Sequence, residues 1–147
     1  MIISAGADHG GFELKDKLVS MLRKEGYEVI DNGTNSPDSV DYPDYAQAVA
    51  RDILEKRADY GLLVCGSGIG ISIAANRFKG IRAALVTNEE YARLSRQHNN
   101  ANIIALGGRF TSFEDAEKWL KIFLSTPFEG GRHERRIAKI DNLSGTN

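Results

Sequence analysis

Five times along this chain a short apolar run gives way to an amphipathic segment, and that alternation constrains the fold more than any other feature. The runs are IISAGA (2–7), YEVI (27–30), YGLLVC (60–65), IRAALV (81–86) and NIIAL (102–106). Short apolar runs bounded by turn residues read as strands buried on both faces. The segments between them carry helical spacing. In 11–25, Phe12, Leu14, Leu18, Val19, Met21 and Leu22 lean to one side, and Gly26 stops the helix. Further helices are expected over roughly 43–55 with Pro43 in the first turn, from Gly68 to about Arg77, over 88–97 and over 113–124. Thr87 and Glu90 make a T-x-x-E capping box for the fourth helix, and Ser112 caps the fifth. RHERRIAKIDNL reads as a C-terminal helix. Strands that alternate with helices need crossovers, so the expected fold is α/β: a three-layer α/β/α sandwich around a five-stranded parallel sheet.

The chain has 147 residues and shows no linker, repeat or composition break, so one domain over 1–147 is expected. A net charge of -1 argues against nucleic acid as a partner. A single cysteine cannot close an internal disulfide. No apolar run approaches a membrane span, and MIISAGADHGG lacks the basic start of a signal peptide. The cytoplasm is the expected setting.

Sheets of this type bind ligands beyond the carboxyl ends of their strands. Strand one is followed by Asp8-His9-Gly10-Gly11, strand three by Cys65-Gly66-Ser67-Gly68-Ile69-Gly70, and strand five by Gly107-Gly108-Arg109. His98-Asn99-Asn100 ends the fourth unit, and the sequence reading assigns it to the same edge. The GSGIG loop lacks the third glycine of a dinucleotide fingerprint, since position 71 is Ile71, and it lacks the Gly-Lys-Ser/Thr of a P-loop. It suits a small phosphate or an oxyanion, or simply a tight strand-to-helix turn. Ile71 also removes the C-x5-R phosphatase reading of Cys65. What remains for Cys65 is an inert core thiol or a base beside an oxyanion cradle. His98 can move protons near neutral pH, or can be an ordinary capping histidine. Arg132 and Arg136, four apart in the expected tail helix, present two guanidiniums on one face, which suits a phosphate clamp or simply a solvated charged face paired with Glu134. Ile137 and Ile140 mark a packing side, through which the tail would dock on a neighbouring subunit.

ADHGGFELK, DYPDYA, LLVCGSGIGISIAANRFKGIRAALV, ARLSRQHNNANIIALGGR and GGRHERR together resemble the type B ribose-5-phosphate isomerases. The wider family includes galactose-6-phosphate and allose-6-phosphate isomerases. The resemblance spans residues 3 to 140 and implies a Rossmann-like sandwich in a homodimer or dimer of dimers with shared active sites. It implies a phosphorylated sugar as substrate, with no cofactor and no metal. By the same resemblance Cys65 is the base that moves a proton between C1 and C2. Gly66, Ser67, Gly68, Ile69 and Gly70 form the anion hole, and Ser67 also handles the sugar. His98 donates a proton for ring opening. Asp8 and His9 contact the sugar phosphate, Tyr42 lines the pocket and Asn99 binds substrate. Arg109, Arg132 and Arg136 hold the phosphate. Many members carry threonine at the position of Ser67, and one branch replaces the cysteine base by a glutamate where this chain has Ile71. The chemistry fits: aldose–ketose exchange needs ring opening, a base at the α-carbon and donors for the developing oxyanion.

Overall fold

The chain's computed structural model describes residues 1–144; residues 145–147 of the expected domain lie outside the described residues. The elements run β1 (Ile2–Ala7), α1 (Phe12–Lys24), β2 (Glu28–Asp31), α2 (Tyr42–Leu54), β3 (Tyr60–Cys65), α3 (Ile69–Ala75), β4 (Ala83–Leu85), α4 (Glu89–Gln97), β5 (Ile103–Gly107), α5 (Phe113–Ser125) and α6 (Arg132–Asp141). All strand pairs are parallel, in the order β2-β1-β3-β5-β4. The chain leaves β1 toward one side of the sheet and β3 toward the other. A crevice therefore opens between the loops that follow β1 and β3.

Period-two alternation along the central strands feeds two cores. Leu62 and Val64 of β3, with Ile104 and Leu106 of β5, face α1, α4 and α5, where Leu18, Leu22, Ala92, Leu120 and Phe123 close the layer. Leu63, Cys65, Ile103 and Ala105 face α2 and α3, against Val49, Ala50, Ile71 and Ala75. Cys65 thus belongs by its side chain to the α2/α3 layer and by its position to the carboxyl edge.

Two local expectations change. The cap of α4 is Asn88, whose side chain accepts the Tyr91 amide at 2.8 Å, and not Thr87. An asparagine with extended backbone satisfies the same orphan donor one residue later, so the helix starts at Glu89. β4 is limited to three residues, because Arg82 and Ala83 give their amides to the side chains of Asn102 and Asn76. The Ser112 cap forms as expected, accepting the Asp115 amide at 3.1 Å. Among the described residues no helix is long and apolar enough to cross a membrane.

Candidate active site

Strand register brings three loops level at the carboxyl edge, for Ala7 pairs with Val64 and Cys65 with Gly107. Backbone bonds lock them together: the Asp8 amide donates to Val64 O at 3.2 Å, Gly108 to Cys65 O at 2.8 Å and Arg109 to Gly66 O at 3.0 Å. Cys65 is 4% exposed at the base of this crevice. Its Sγ accepts the amide of Gly68 at 3.2 Å, a bond that a thiolate accepts more strongly than a thiol. Gly68 is the N-cap of α3 at φ 80°, a left-handed conformation that glycine adopts without strain.

The glycine loop divides its donors. The Gly68 amide is committed to Cys65, and the Ile69 amide to Ser67 Oγ at 3.1 Å. Among the described residues the amides of Gly66, Ser67 and Gly70 donate to no protein acceptor. The expected five-residue cradle therefore offers those three amides, together with Ile71 in the first turn of α3, to a ligand. Arg109 lays its guanidinium over this loop: a Cβ built at Gly66 would lie 2.9 Å from it, and one at Gly10 would lie 3.3 Å away. No carboxylate pairs with Arg109 among the described residues, so its charge faces the crevice uncompensated. The Tyr42 ring covers Gly70, where a Cβ would stand 2.7 Å from Cζ.

The Asp8–His9 turn completes this edge. Asp8 Oδ1 accepts the Gly10 amide at 2.9 Å, which shapes the turn. His9 Nδ1 accepts the Val40 amide at 3.2 Å, so the ring proton resides on Nε2, where it can donate to a ligand. Lys15 stabilises the loop that carries Val40. It is fully buried and bonds Asp31 at 2.9 Å and Asn35 at 3.0 Å. A buried ammonium is tolerated only when its donors are so engaged. The sequence reading missed Lys15, because a lysine in a helix ordinarily marks its wet face.

The remaining expected residues lie elsewhere. A helix that follows a parallel strand starts at the carboxyl edge and ends at the amino edge. His98 and Asn99 end α4, and Arg82, just before β4, donates to the Asn99 and Asn100 carbonyls. α6 lies along the same amino edge, with Asp141 on Arg82 at 3.1 Å and His133 stacked on His98 at 4.4 Å between ring centroids. His98, Asn99, Arg132 and Arg136 thus stand a strand's length, about 15–20 Å, from Cys65 within one chain. The sequence reading put His98 and Asn99 on one edge with Cys65, and had the tail arginines dock on a neighbouring subunit. The signal that corrects it is in the sequence: His98 follows the end of a helix rather than the end of a strand.

At this amino edge His98, Glu129 and His133 bring metal-ligand atoms within 4.8 Å of one another. The two imidazole planes are inclined by only 12°, and stacked rings so nearly parallel cannot both aim a lone pair at one ion. Arg132 and Arg136 add positive charge beside them. Burial first, and then the charges of Arg132, His98 and Arg136, push the His133 imidazole below the ordinary histidine range. The site does not fit a metal.

The expected residues thus fall into two groups: Gly66 to Gly70, Cys65 and Arg109 at the carboxyl edge, and His98, Asn99, Arg132 and Arg136 at the amino edge. The sequence pattern of the ribose/galactose isomerase family matches residues 3–140. Ribose-5-phosphate isomerase B of Escherichia coli is 46% identical over 138 residues, covering 94% of this chain and 93% of that protein. A ribose 5-phosphate isomerase structure from Thermotoga maritima superposes with a TM-score of 0.95 at 56% identity, covering 97% of this chain and 98% of that one. Ribose-5-phosphate isomerase B from Mycoplasma genitalium, solved with bound ribulose-5-phosphate, gives 0.92 at 43%, covering 96% and 94%. The fold, the glycine loop behind Cys65 and these matches along nearly the whole length agree: this chain belongs to the ribose/galactose isomerase family.

Proposed function

We propose that the protein interconverts D-ribose 5-phosphate and D-ribulose 5-phosphate, in active sites completed by a second copy of the chain. The observation that carries the reading is Cys65 Sγ at the end of β3, beside amides and a guanidinium that are unpaired among the described residues.

His98 protonates the ring oxygen as the furanose opens, and the anomeric hydroxyl releases its proton to water to leave the C1 aldehyde. Cys65 then takes the proton from C2, and the electron pair moves onto the carbonyl oxygen to give an enediolate. The amides of Gly66, Ser67 and Gly70 hold the developing negative charge, a role in which one donor is worth roughly 2.7–4 kcal/mol. Proton return to C1, with the proton of the C2 hydroxyl passing to the C1 oxygen, gives the ketose. One C–H bond breaks and one forms, with no net redox change. Ser67 Oγ handles a sugar hydroxyl, Tyr42 walls the pocket and Asn99 binds substrate. Asp8 and His9 reach the sugar phosphate, and Arg109, Arg132 and Arg136 hold the phosphate.

No pentose phosphate spans the distance between Cys65 and His98 of one chain. If both act on one substrate, they come from different chains, with His98, Asn99, Arg132 and Arg136 supplied by the partner. A homodimer, or a dimer of dimers working in the cytoplasm, meets that need.

Side-by-side assays with ribose 5-phosphate, allose 6-phosphate and galactose 6-phosphate test the substrate. The expected kcat/KM for the pentose exceeds either hexose by at least roughly tenfold. Turnover of the hexose phosphates alone would overturn the ribose reading. Binding without turnover of any sugar would reduce the protein to a binding module.

A further inference from the structure

His98 ends a helix with its side chain 39% exposed, and an imidazole in that position ordinarily samples several rotamers. Here it does not stand free. His133, in the first turn of α6 and 6% exposed, stacks flat against it at 4.4 Å and 12°. One oxygen of Glu129, Oε1, lies 3.8 Å from His98 Nε2 and 3.6 Å from His133 Nε2. The Glu129 backbone is tied to the same helix end, its amide donating to the carbonyl of Gln97 at 3.1 Å. The backbone that carries this carboxylate is thus fixed relative to Gln97, the residue that precedes His98.

We propose that Glu129 and His133 are positioning residues for His98, holding its imidazole in the orientation that delivers a proton to the sugar ring oxygen. The proposal rests on the reading of His98 as the ring-opening acid. His133 supplies a rigid face. Its Nε2 is buried and hydrogen-bonds to nothing among the described residues, so its side chain is held by packing and by the nearby carboxylate. Its depressed proton affinity keeps that face uncharged at neutral pH, so the stack does not carry two adjacent positive charges. Glu129 supplies the only carboxylate within ion-pair distance of either ring among the described residues. The other charged groups beside His133 among the described residues are Arg132 and Arg136 of α6, both cationic, so Glu129 is the one anion at the stacked pair.

The chemistry of the two substrates separates this role from a structural one. Ribose 5-phosphate is mostly a closed furanose and has to be opened. Ribulose 5-phosphate has its O5 phosphorylated and stays open-chain, and its aldehyde product can close after release. Turnover is measured from both directions on the full chain for Glu129→Gln, His133→Ala and His133→Phe, with His98→Asn as reference.

Glu129→Gln and His133→Ala are expected to lower kcat from ribose 5-phosphate on the order of tenfold, with KM held. Turnover from ribulose 5-phosphate should stay within about twofold. His133→Phe keeps a stacking face and should recover most of the His133→Ala loss. Equal losses in both directions, no loss in either, or a His133→Phe no better than His133→Ala would overturn the proposal. If His98→Asn shows the directional loss and Glu129→Gln and His133→Ala do not, positioning alone is overturned. If His98→Asn shows no directional loss, the ring-opening role of His98 fails and the proposal fails with it.

Discussion

Replacing Cys65 by alanine is expected to lower kcat for ribose 5-phosphate roughly 10³-fold, the middle of the range for removing a positioned general base. KM should change little, because no phosphate or hydroxyl contact is assigned to the thiol. The fold should survive. The residue is 4% exposed in a layer made by Leu63, Ile71, Ile103 and Ala105, and removing one sulfur from it costs about 1 kcal/mol. Cys65→Ser keeps an acceptor for the Gly68 amide yet supplies a far weaker base, so it should be nearly as inactive. Exchange of the C2 hydrogen of ribose 5-phosphate with deuterium in the solvent, followed by NMR, reads the proton-transfer step directly and should vanish in both variants. Retained exchange in Cys65→Ala would transfer the role of base to another group.

The largest expected effect on stability belongs to Gly11. A Cβ built there would stand 2.3 Å from Val64 O and 2.5 Å from Val64 C. Those atoms are backbone of β3, one residue before Cys65, and the strand is paired on both sides, with Ala7 and with Leu106. Neither wall can give way without opening the sheet. Gly11→Ala is expected to cost about 3 kcal/mol, the upper part of the usual range for overpacking. For a chain of this size that lowers Tm by roughly 10 °C. Gly26→Ala is the control. Gly26 stands at φ 94° with nothing within 4 Å of a built Cβ, so only the backbone strain of about 1–2 kcal/mol applies. A Gly11→Ala loss no larger than that of Gly26→Ala would show that the loop after β1 is not clamped against β3.

Much of this architecture was legible in the chain itself. The five apolar runs give the five strands, and the turn residues that bound them limit their length. Ser112 and Pro43 mark helix starts because a side-chain acceptor and a fixed φ serve a first turn wherever it occurs. Cys65 is readable as the end of a strand because GSG follows it. Strand order was not legible, since it depends on which crossover packs on which face. The α4 cap moved from Thr87 to Asn88 because two adjacent residues offer the same acceptor and only backbone geometry selects between them. Glu129 escaped notice because it lies in an ordinary polar loop, and its role arises only when α5 and α6 bring it to the end of α4. The edge of His98 is legible in the sequence, because chain direction through a parallel unit puts the end of α4 at the amino edge.

That edge assignment bears on the central claim, which is that one active site takes its base from one chain and its ring-opening acid and tail arginines from another. Complementation tests it most directly. Cys65→Ala and His98→Asn chains, each nearly inactive alone when assayed from ribose 5-phosphate, are mixed, dissociated and allowed to reassociate. A hybrid pair then holds one site with both native groups and one with neither. Random pairing makes half the assemblies hybrids, so the mixture should recover about a quarter of native activity. A mixture that stays as inactive as its components, although mass spectrometry shows hybrids present, would contradict the shared site and place Cys65 and His98 at separate tasks.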